Sequence, residues 1–206
     1  MDAASVNLLR EMLASTGWIE RTRQLGLALR STRSPGGLLV VGTPEDEPWH
    51  LAAHLDEESR FVPQLAPTLV RWSPPPGAPP HLRVGLDRLR HTGRGETLFV
   101  VTQAQATVPL LERVDDARRA GATILALDEG DPELDGLAHE VLNVPALRSP
   151  LSFDAAQHLV STAAGADAPP LRPPSPAPDG HVRGGRGFKE RLSRFLDVVS
   201  GPKVLE

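Results

Sequence analysis

The chain contains no cysteine. Disulfide bonds, thiol nucleophiles and cysteine-bound zinc are therefore excluded. It also lacks a run of apolar residues approaching the roughly 20 that cross a bilayer. Arginines and acidic residues interrupt the apolar positions of residues 1–35, so no signal peptide is indicated. From these absences we expect a soluble cytoplasmic protein.

The chain also has no excess of basic residues over acidic ones. The formal net charge is −4 at pH 7, so no overall attraction draws the chain toward nucleic acid or an anionic membrane. We therefore predict no nucleic-acid partner and no membrane span. Apolar residues make up 40% of the 206 positions, which is enough for one globular domain with appendages.

Changes in composition divide the chain into four segments. Residues 1–35 carry an interrupted apolar stripe and are predicted to be an N-terminal helical segment that packs on the core. Residues 36–165 alternate apolar runs with helical spacings, as α/β domains do. Residues 166–187 are rich in proline and glycine, which predicts a linker or a disordered segment. Residues 188–200 have the spacing of an amphipathic helix.

The clearest unit lies at residues 96–128. An apolar run at 97–101 is followed by a small polar turn, a helical spacing at 108–120 and a second apolar run at 122–127. This order predicts a βαβ unit. Three more strands are predicted, at 38–41, 68–72 and 140–144. The predicted fold class is therefore α/β, a three-layer α/β/α sandwich with a five-stranded, mostly parallel sheet.

Three loops follow predicted strands and so lie at the edge where ligands bind such sheets. Loop 102–107 is small, polar and uncharged, whereas loops 42–47 and 128–133 are acidic. The carboxylates of the two acidic loops are Glu45, Asp46, Glu47, Asp128, Glu129, Asp131 and Glu133.

Residues 3–164 resemble the sugar isomerase (SIS) domain family, most specifically over 98–144. The family motif is a strand followed by Ser-x-Ser-Gly-x-Thr, then a proline one residue further on. The matching stretch here runs Thr102-Gln103-Ala104-Gln105-Ala106-Thr107-Val108-Pro109. The Gly121-Ala122 entry to the next strand and the run ending Asn143-Val144-Pro145 are also similar to the family pattern.

The resemblance implies a sugar-phosphate ligand, held by loop hydroxyls and backbone N–H groups at a helix N-terminus. On that basis the predicted ligand-binding residues are Gly42, Thr43, Thr102, Gln103, Gln105 and Thr107. The motif is degenerate, because Ala104 replaces a serine and Gln105 replaces the glycine. We therefore predict a homodimeric SIS-like binding or regulatory domain that lacks the usual isomerase motif. The alternative interpretation of the turn is that Thr107 only caps a helix.

Two further functions stay open. An active aldose–ketose isomerase would use proton carriers such as Glu57 and His158. In isomerases of the resembled fold, a histidine from a C-terminal helix of a neighbouring subunit can enter the site, which makes His158 a candidate by resemblance. The third possibility is a dimeric platform whose helix at 188–200 docks a protein partner.

No cofactor and no metal site is predicted. Two histidines are nevertheless candidates for metal binding or for acid–base chemistry. His50 and His54 lie four residues apart and share one helix face. With Glu47 or Glu57 they could bind a metal or transfer protons. The alternative is two partly solvated histidines beside Trp49.

Carboxylates at the strand ends give a second metal hypothesis. Asp46, Asp128 and Asp131 could converge on Mg²⁺. Each also has a local role as a helix cap or turn residue. Asp46 in particular is predicted to cap the helix that follows the first strand.

Overall fold

A computed structural model describes residues 17–33, 36–145 and 151–165. These residues form a five-stranded sheet with helices on both faces. The strands are β1 (Leu38–Val41), β2 (Pro67–Leu69), β3 (Thr97–Thr102), β4 (Thr123–Asp128) and β5 (Glu140–Asn143). The α-helices are α1 (Trp18–Arg30), α2 (Trp49–Ser59), α3 (Val108–Arg119), α4 (Pro132–Leu137) and α5 (Phe153–Gly165).

The strand order is β2-β1-β3-β4-β5, and every pairing is parallel. The predicted α/β sandwich with five strands is confirmed, and within the described residues the sheet is wholly parallel. After β2 the chain crosses back over β1 to begin β3 on its other side. The sheet therefore has its topological switch point between β1 and β3, and ligands of such sheets bind in the crevice outside that point.

The central strands are apolar on both faces because helices cover both. On one face, Leu38 and Val40 of β1 and Phe99 of β3 pack in a cluster with α1, α2 and α5. On the other, Leu39 and Leu98 pack with α3 and α4. Burial on both faces explains why the central strands have apolar sequences without alternation.

Two predicted elements differ from the structure. The spacing of Leu82, Leu86 and Leu89 predicts a short helix at 82–90, whereas the structure has 3-10 turns at Pro80–Leu82 and Leu86–His91. The strand expected at 68–72 is the shorter β2, continued only by an isolated bridge between Arg71 and Gly85. Arg71 and Trp72, directly after β2, bond to Glu47 and Gly42 of the loop that follows β1. The Arg71 N–H also donates to Val84 O between the two 3-10 turns, so tertiary contacts hold this stretch.

The linker predicted at 166–187 and the amphipathic helix predicted at 188–200 lie outside the described residues. Of the predicted N-terminal helical segment, the structure describes α1, which begins directly after Gly17. None of the helices in the described part of the chain is long and apolar enough to cross a membrane.

Candidate functional site

The three loops predicted from the sequence meet at one edge of the sheet. Gln103 Nε2 donates to Asp46 Oδ2 at 3.3 Å, which joins loop 102–107 to loop 42–47. The backbone N–H of Ala106 donates to Asp131 Oδ2 at 2.7 Å, which joins loop 102–107 to loop 128–133. The loops therefore form one continuous surface at the switch point.

The first loop turns back tightly on β1 at Gly42. A Cβ atom at this position would collide with the backbone oxygen of Asp46, so no larger residue fits. The Trp72 indole N–H donates to Gly42 O at 2.8 Å and fixes the turn from the side of β2. Gly42 thus has a structural role here. Beside it, the Thr43 side chain is buried and its Oγ1 has no hydrogen-bond partner.

Glu47 is held within the protein by an ion pair. Its Oε2 accepts from Arg71 Nε at 2.9 Å and lies 2.9 Å from Arg71 Nη2, and its Oε1 accepts from the Trp72 backbone N–H at 3.2 Å. The Arg71 guanidinium also stacks 4.5 Å from the centre of the Trp49 ring. Arg71 is therefore already paired with a carboxylate.

The start of α2 differs from the prediction. Asp46 does not cap this helix; α2 begins at Trp49, Pro48 occupies the N-cap position and no side chain caps the helix. Asp46 instead contacts Gln103 of the central loop. The Asp46 side chain therefore joins two loops. A sequence pattern for helix capping does not reveal such a contact between distant residues.

The two threonines of the central loop are in different states. Thr102 is fully buried, and its Oγ1 donates to Ala104 O at 2.7 Å and accepts from Ala104 N at 3.1 Å. Thr107 occupies the N-cap position of α3, but its side chain makes no capping hydrogen bond. Its Oγ1 is buried without a partner. Thr107 therefore lies at the helix start, as the capping interpretation expects, but its hydroxyl does not make the capping bond.

Asp131 is the residue that organises the third loop. Its Oδ1 accepts from the backbone N–H groups of Glu133 at 3.0 Å and Leu134 at 3.2 Å, which caps α4. Its Oδ2 takes the Ala106 N–H. A bound anion at this loop would need such an N–H group, and here a carboxylate of the protein already occupies it.

Asp128 is buried at the end of β4. Its Oδ1 accepts from the backbone N–H groups of Gly130 and Asp131 and from Asn143 Nδ2, while its Oδ2 has no partner. Burial raises the pKa of the Asp128 carboxyl, and the backbone hydrogen bonds from Gly130 and Asp131 oppose that rise.

A pocket of about 110 Å³ lies between the second and third loops. Its walls are Gln103, Ala104, Gln105, Glu129, Gly130 and Asp131. Gln103 and Gln105 are exposed, so their amide groups are accessible to a ligand. The three loops contain no lysine, arginine or histidine, and the pocket therefore lies in a negative field.

The histidine candidates converge at a second place. His50 Nε2 of α2 lies 2.8 Å from His158 Nε2 of α5 and 3.2 Å from His54 Nε2. Glu57 Oε2 lies 3.7 Å from His54 Nδ1. Both predicted proton carriers, Glu57 and His158, thus belong to this cluster. Neither lines the pocket between the loops, and His158 meets α2 of its own chain.

Two imidazoles of this cluster have shifted pKa values. Burial, and then the neighbouring imidazoles His54 and His50, lower the pKa of His158. Burial and then His50 lower the pKa of His54, while the Glu57 carboxylate acts in the opposite direction. His50 is the most exposed of the three rings.

The Mg²⁺ hypothesis at the strand ends finds little geometric support. Asp128 and Asp131 direct carboxylate oxygens to backbone N–H groups of their own loop, and Asp46 contacts Gln103. Among the residues that the structure describes, the three histidines are the group whose ligand atoms have metal-binding spacing.

No protein-family model matches the chain, and no curated protein matches it. Solved structures do match. A provisionally named sugar-binding protein from Salmonella typhimurium LT2 is 14% identical with a TM-score of 0.56, over 95% of this chain and 53% of that one. A provisionally named phosphosugar isomerase from Silicibacter pomeroyi DSS-3 is 13% identical with a TM-score of 0.51, over 79% of this chain and 48% of that one.

A third match is a provisionally named phosphosugar isomerase from Salmonella typhimurium LT2. It is 13% identical with a TM-score of 0.51, over 89% of this chain and 50% of that one. The chain has an SIS-like α/β fold. It spans about half the length of these solved structures, and at this level of identity the likeness concerns the fold alone.

Proposed function

We propose that this chain is an SIS-like domain that binds a carbohydrate derivative at the switch point and does not isomerise it. The observation that carries the proposal is the state of Thr43 and Thr107. Both hydroxyls are buried at the carboxyl edge of the sheet and have no partner within the protein. A buried hydroxyl without a partner is unfavourable by about 1–3 kcal/mol. Neither threonine is among the walls of the pocket between the loops, so a ligand rich in hydroxyl groups supplies the missing bonds once these loops move apart around it.

The chemistry of the pocket supports a ligand rich in hydroxyl groups. Exposed amides of Gln103 and Gln105 donate and accept hydrogen bonds, and the Glu129 carboxylate accepts them. Sugar hydroxyls present both donors and acceptors and match this set. The neighbours with the same fold, a sugar-binding protein and phosphosugar isomerases by name, make carbohydrate derivatives the first class to test.

The electrostatics argue against isomerisation of a sugar phosphate. Both the phosphate and the enediolate formed during aldose–ketose isomerisation are negative, and catalysis stabilises such charge with cations or free N–H groups. In the described loops the nearby cation Arg71 is paired with Glu47, and the Ala106 N–H is taken by Asp131. We infer that a phosphate group adds little to affinity at this site.

Thermal unfolding with a panel of hexoses, pentoses and their phosphates tests the proposal. A ligand at 100 times its Kd should stabilise the fold by about 2.7 kcal/mol. We expect at least one sugar to do so, with its phosphate ester binding no more than about threefold tighter. Absence of stabilisation by every member would overturn the proposal, as would conversion of any aldose phosphate into its ketose.

The variant that tests the site is Thr107→Val. Thr107→Val removes the unpartnered hydroxyl and should weaken ligand binding about tenfold, equivalent to about 1.4 kcal/mol. Glu112→Gln on the outer part of α3 serves as a control that changes a charge away from the three loops. Equal loss of binding in both Thr107→Val and Glu112→Gln would contradict a site at the switch point.

The proposal also includes a cytoplasmic homodimer, with the helix predicted at 188–200 as a docking segment for a protein partner. The absence of cysteine suits a reducing compartment. The apolar stripe of the 188–200 segment needs a surface to cover it. Light scattering should give twice the mass of the 206-residue chain. Removal of 166–206 should keep the melting temperature and abolish partner capture; a lower melting temperature would instead mean that the helix packs on its own core.

A further inference from the structure

Three imidazoles from two helices point their nitrogens at a common point on the sandwich. His50 and His54 lie on consecutive turns of α2, and His158 lies on α5, which packs beside α2. The ligand nitrogens of the three residues all lie within 4.8 Å of one another. The ring centroids are separated by 4.6, 4.6 and 4.2 Å.

The spacing suits a tetrahedral metal. Two nitrogens bound to zinc, each about 2.0–2.1 Å from the metal, are about 3.3 Å apart. The Nε2 atoms of His50 and His54 are 3.2 Å apart, and those of His50 and His158 are 2.8 Å apart. Two of the three pairs are thus already near the zinc spacing. The third pair lies within 4.8 Å, a distance that rotation of exposed or half-buried rings can shorten.

The surroundings supply what metal-binding histidines usually have. Glu57 Oε2 lies 3.7 Å from His54 Nδ1, on the side of the ring away from the cluster. A carboxylate at the second ring nitrogen commonly orients a histidine ligand and raises its basicity. The exposure of His50 leaves the remaining coordination position open to water or to an incoming ligand.

We propose that His50, His54 and His158 form a binding site for a divalent transition metal of the zinc class, which ties α5 to α2. Three imidazole ligands favour zinc, cobalt, nickel or copper over magnesium and calcium, which prefer oxygen ligands. Three protein ligands with an open fourth position are the arrangement of sites where the metal acts as a Lewis acid. The site shares no residue with the carbohydrate site proposed above.

The test uses the full-length chain, purified without a histidine tag and treated with EDTA. Titration with Zn²⁺ by calorimetry should give one site per chain and raise the melting temperature. Titration with Co²⁺ should give the intense visible absorption of a tetrahedral or five-coordinate ion. Mg²⁺ at the same concentrations should produce neither effect.

The variants His50→Ala, His54→Ala and His158→Ala should each weaken Zn²⁺ binding by more than about 100-fold. Loss of a residue that only hydrogen-bonds a metal ligand costs up to about 100-fold, and loss of the ligand itself should cost more. Glu57→Gln should weaken it by about 10- to 100-fold. His91→Ala, which removes a histidine on the other face of the sheet, should bind Zn²⁺ like the unmodified chain. Circular dichroism checks that each variant without metal is folded.

Three results would overturn the proposal. The first is a folded, unmodified chain that binds no Zn²⁺ at micromolar concentrations. The second is a His91→Ala variant that loses as much affinity as His54→Ala, which would indicate non-specific surface binding. The third is an octahedral Co²⁺ spectrum together with unchanged Co²⁺ binding in the variants His50→Ala, His54→Ala and His158→Ala.

Discussion

At the scale of single residues, Thr102 and Thr107 are the sharpest contrast in the molecule. Both are threonines of the same loop, yet Thr102 Oγ1 makes two hydrogen bonds to Ala104 and Thr107 Oγ1 makes none. The first hydroxyl therefore stabilises the loop through bonds within the protein. The second stabilises it only when something else supplies a partner.

This contrast predicts opposite effects on stability without ligand. Thr102→Val removes two internal hydrogen bonds and should lower the free energy of unfolding by about 1–3 kcal/mol. Thr107→Val removes a hydroxyl that has no partner, so the free energy of unfolding should stay within about 0.5 kcal/mol or rise. Urea denaturation of both variants measures the difference. A loss for Thr107→Val as large as that for Thr102→Val would contradict the assigned states.

Asp128 gives a prediction about pH. Burial raises its pKa in the folded protein above the usual 3.8, so the folded state keeps this proton to a higher pH than the unfolded state does. As the pH rises from about 3.8 through the folded pKa, this group therefore lowers the free energy of unfolding. Asp128→Asn lacks the effect, because the amide does not titrate.

Urea denaturation of the unmodified chain and Asp128→Asn between pH 4 and pH 7 checks this sign. The stability of Asp128→Asn relative to the unmodified chain should rise with pH, by about 1.4 kcal/mol for each unit by which the folded pKa is raised. A constant difference would show that the backbone hydrogen bonds to Asp128 balance its burial, and a difference that falls with pH would show that they outweigh it.

At the scale of elements, Asp131 links the N-terminus of α4 to the central loop. One carboxylate oxygen caps α4 and the other takes the Ala106 N–H. Serine is also a good N-cap, but its side chain is shorter and uncharged. Asp131→Ser should therefore keep α4 while it frees the Ala106 N–H and removes a negative charge from the pocket.

We expect Asp131→Ser to bind sugar phosphates about fivefold tighter than the unmodified chain. The estimate follows from removal of a repulsion of about 1 kcal/mol between like charges about 4 Å apart in water. Affinity for the unphosphorylated sugar should change by less than about twofold. Calorimetric titration of both ligands measures the ratio. Unchanged phosphate affinity would mean that Asp131 does not exclude anions.

The elements also show how far the sequence goes. The strands β1, β3 and β4 are short apolar runs bounded by glycine or polar turns, and the pattern was sufficient to predict them. The segment around β2 was predicted less well, because Arg71 and Trp72 are held by ion pairing and hydrogen bonding to Glu47 and Gly42. Such contacts between distant residues leave no periodic signal.

The candidate sites were predictable to a similar degree. Loop 102–107 and its role at the sheet edge follow from the βαβ pattern. The bond from Ala106 to Asp131 does not, since which loop approaches which depends on the strand order. The i, i+4 spacing places His50 and His54 on one helix face. His158 lies 108 residues from His50 and meets it only because α5 packs beside α2.

At the scale of the whole molecule, the parallel sheet has one edge that bears the strand-end loops and two covered faces. The order β2-β1-β3-β4-β5 puts the switch point beside the unpartnered Thr43 and Thr107 hydroxyls. The acidic loops around them distinguish this edge from a site built for phosphate. This arrangement is the basis of our proposal that the chain binds a carbohydrate derivative and does not isomerise a sugar phosphate.

The most direct test of this account is an NMR titration of ¹³C-labelled sugars and sugar phosphates with the full-length chain. Ligand binding broadens or shifts the sugar resonances, and isomerisation creates new ones. We predict broadening by the unmodified chain, reduced broadening by Thr107→Val, and no product resonances after prolonged incubation. Product resonances from any sugar phosphate, or equal broadening by Thr107→Val, would contradict the account.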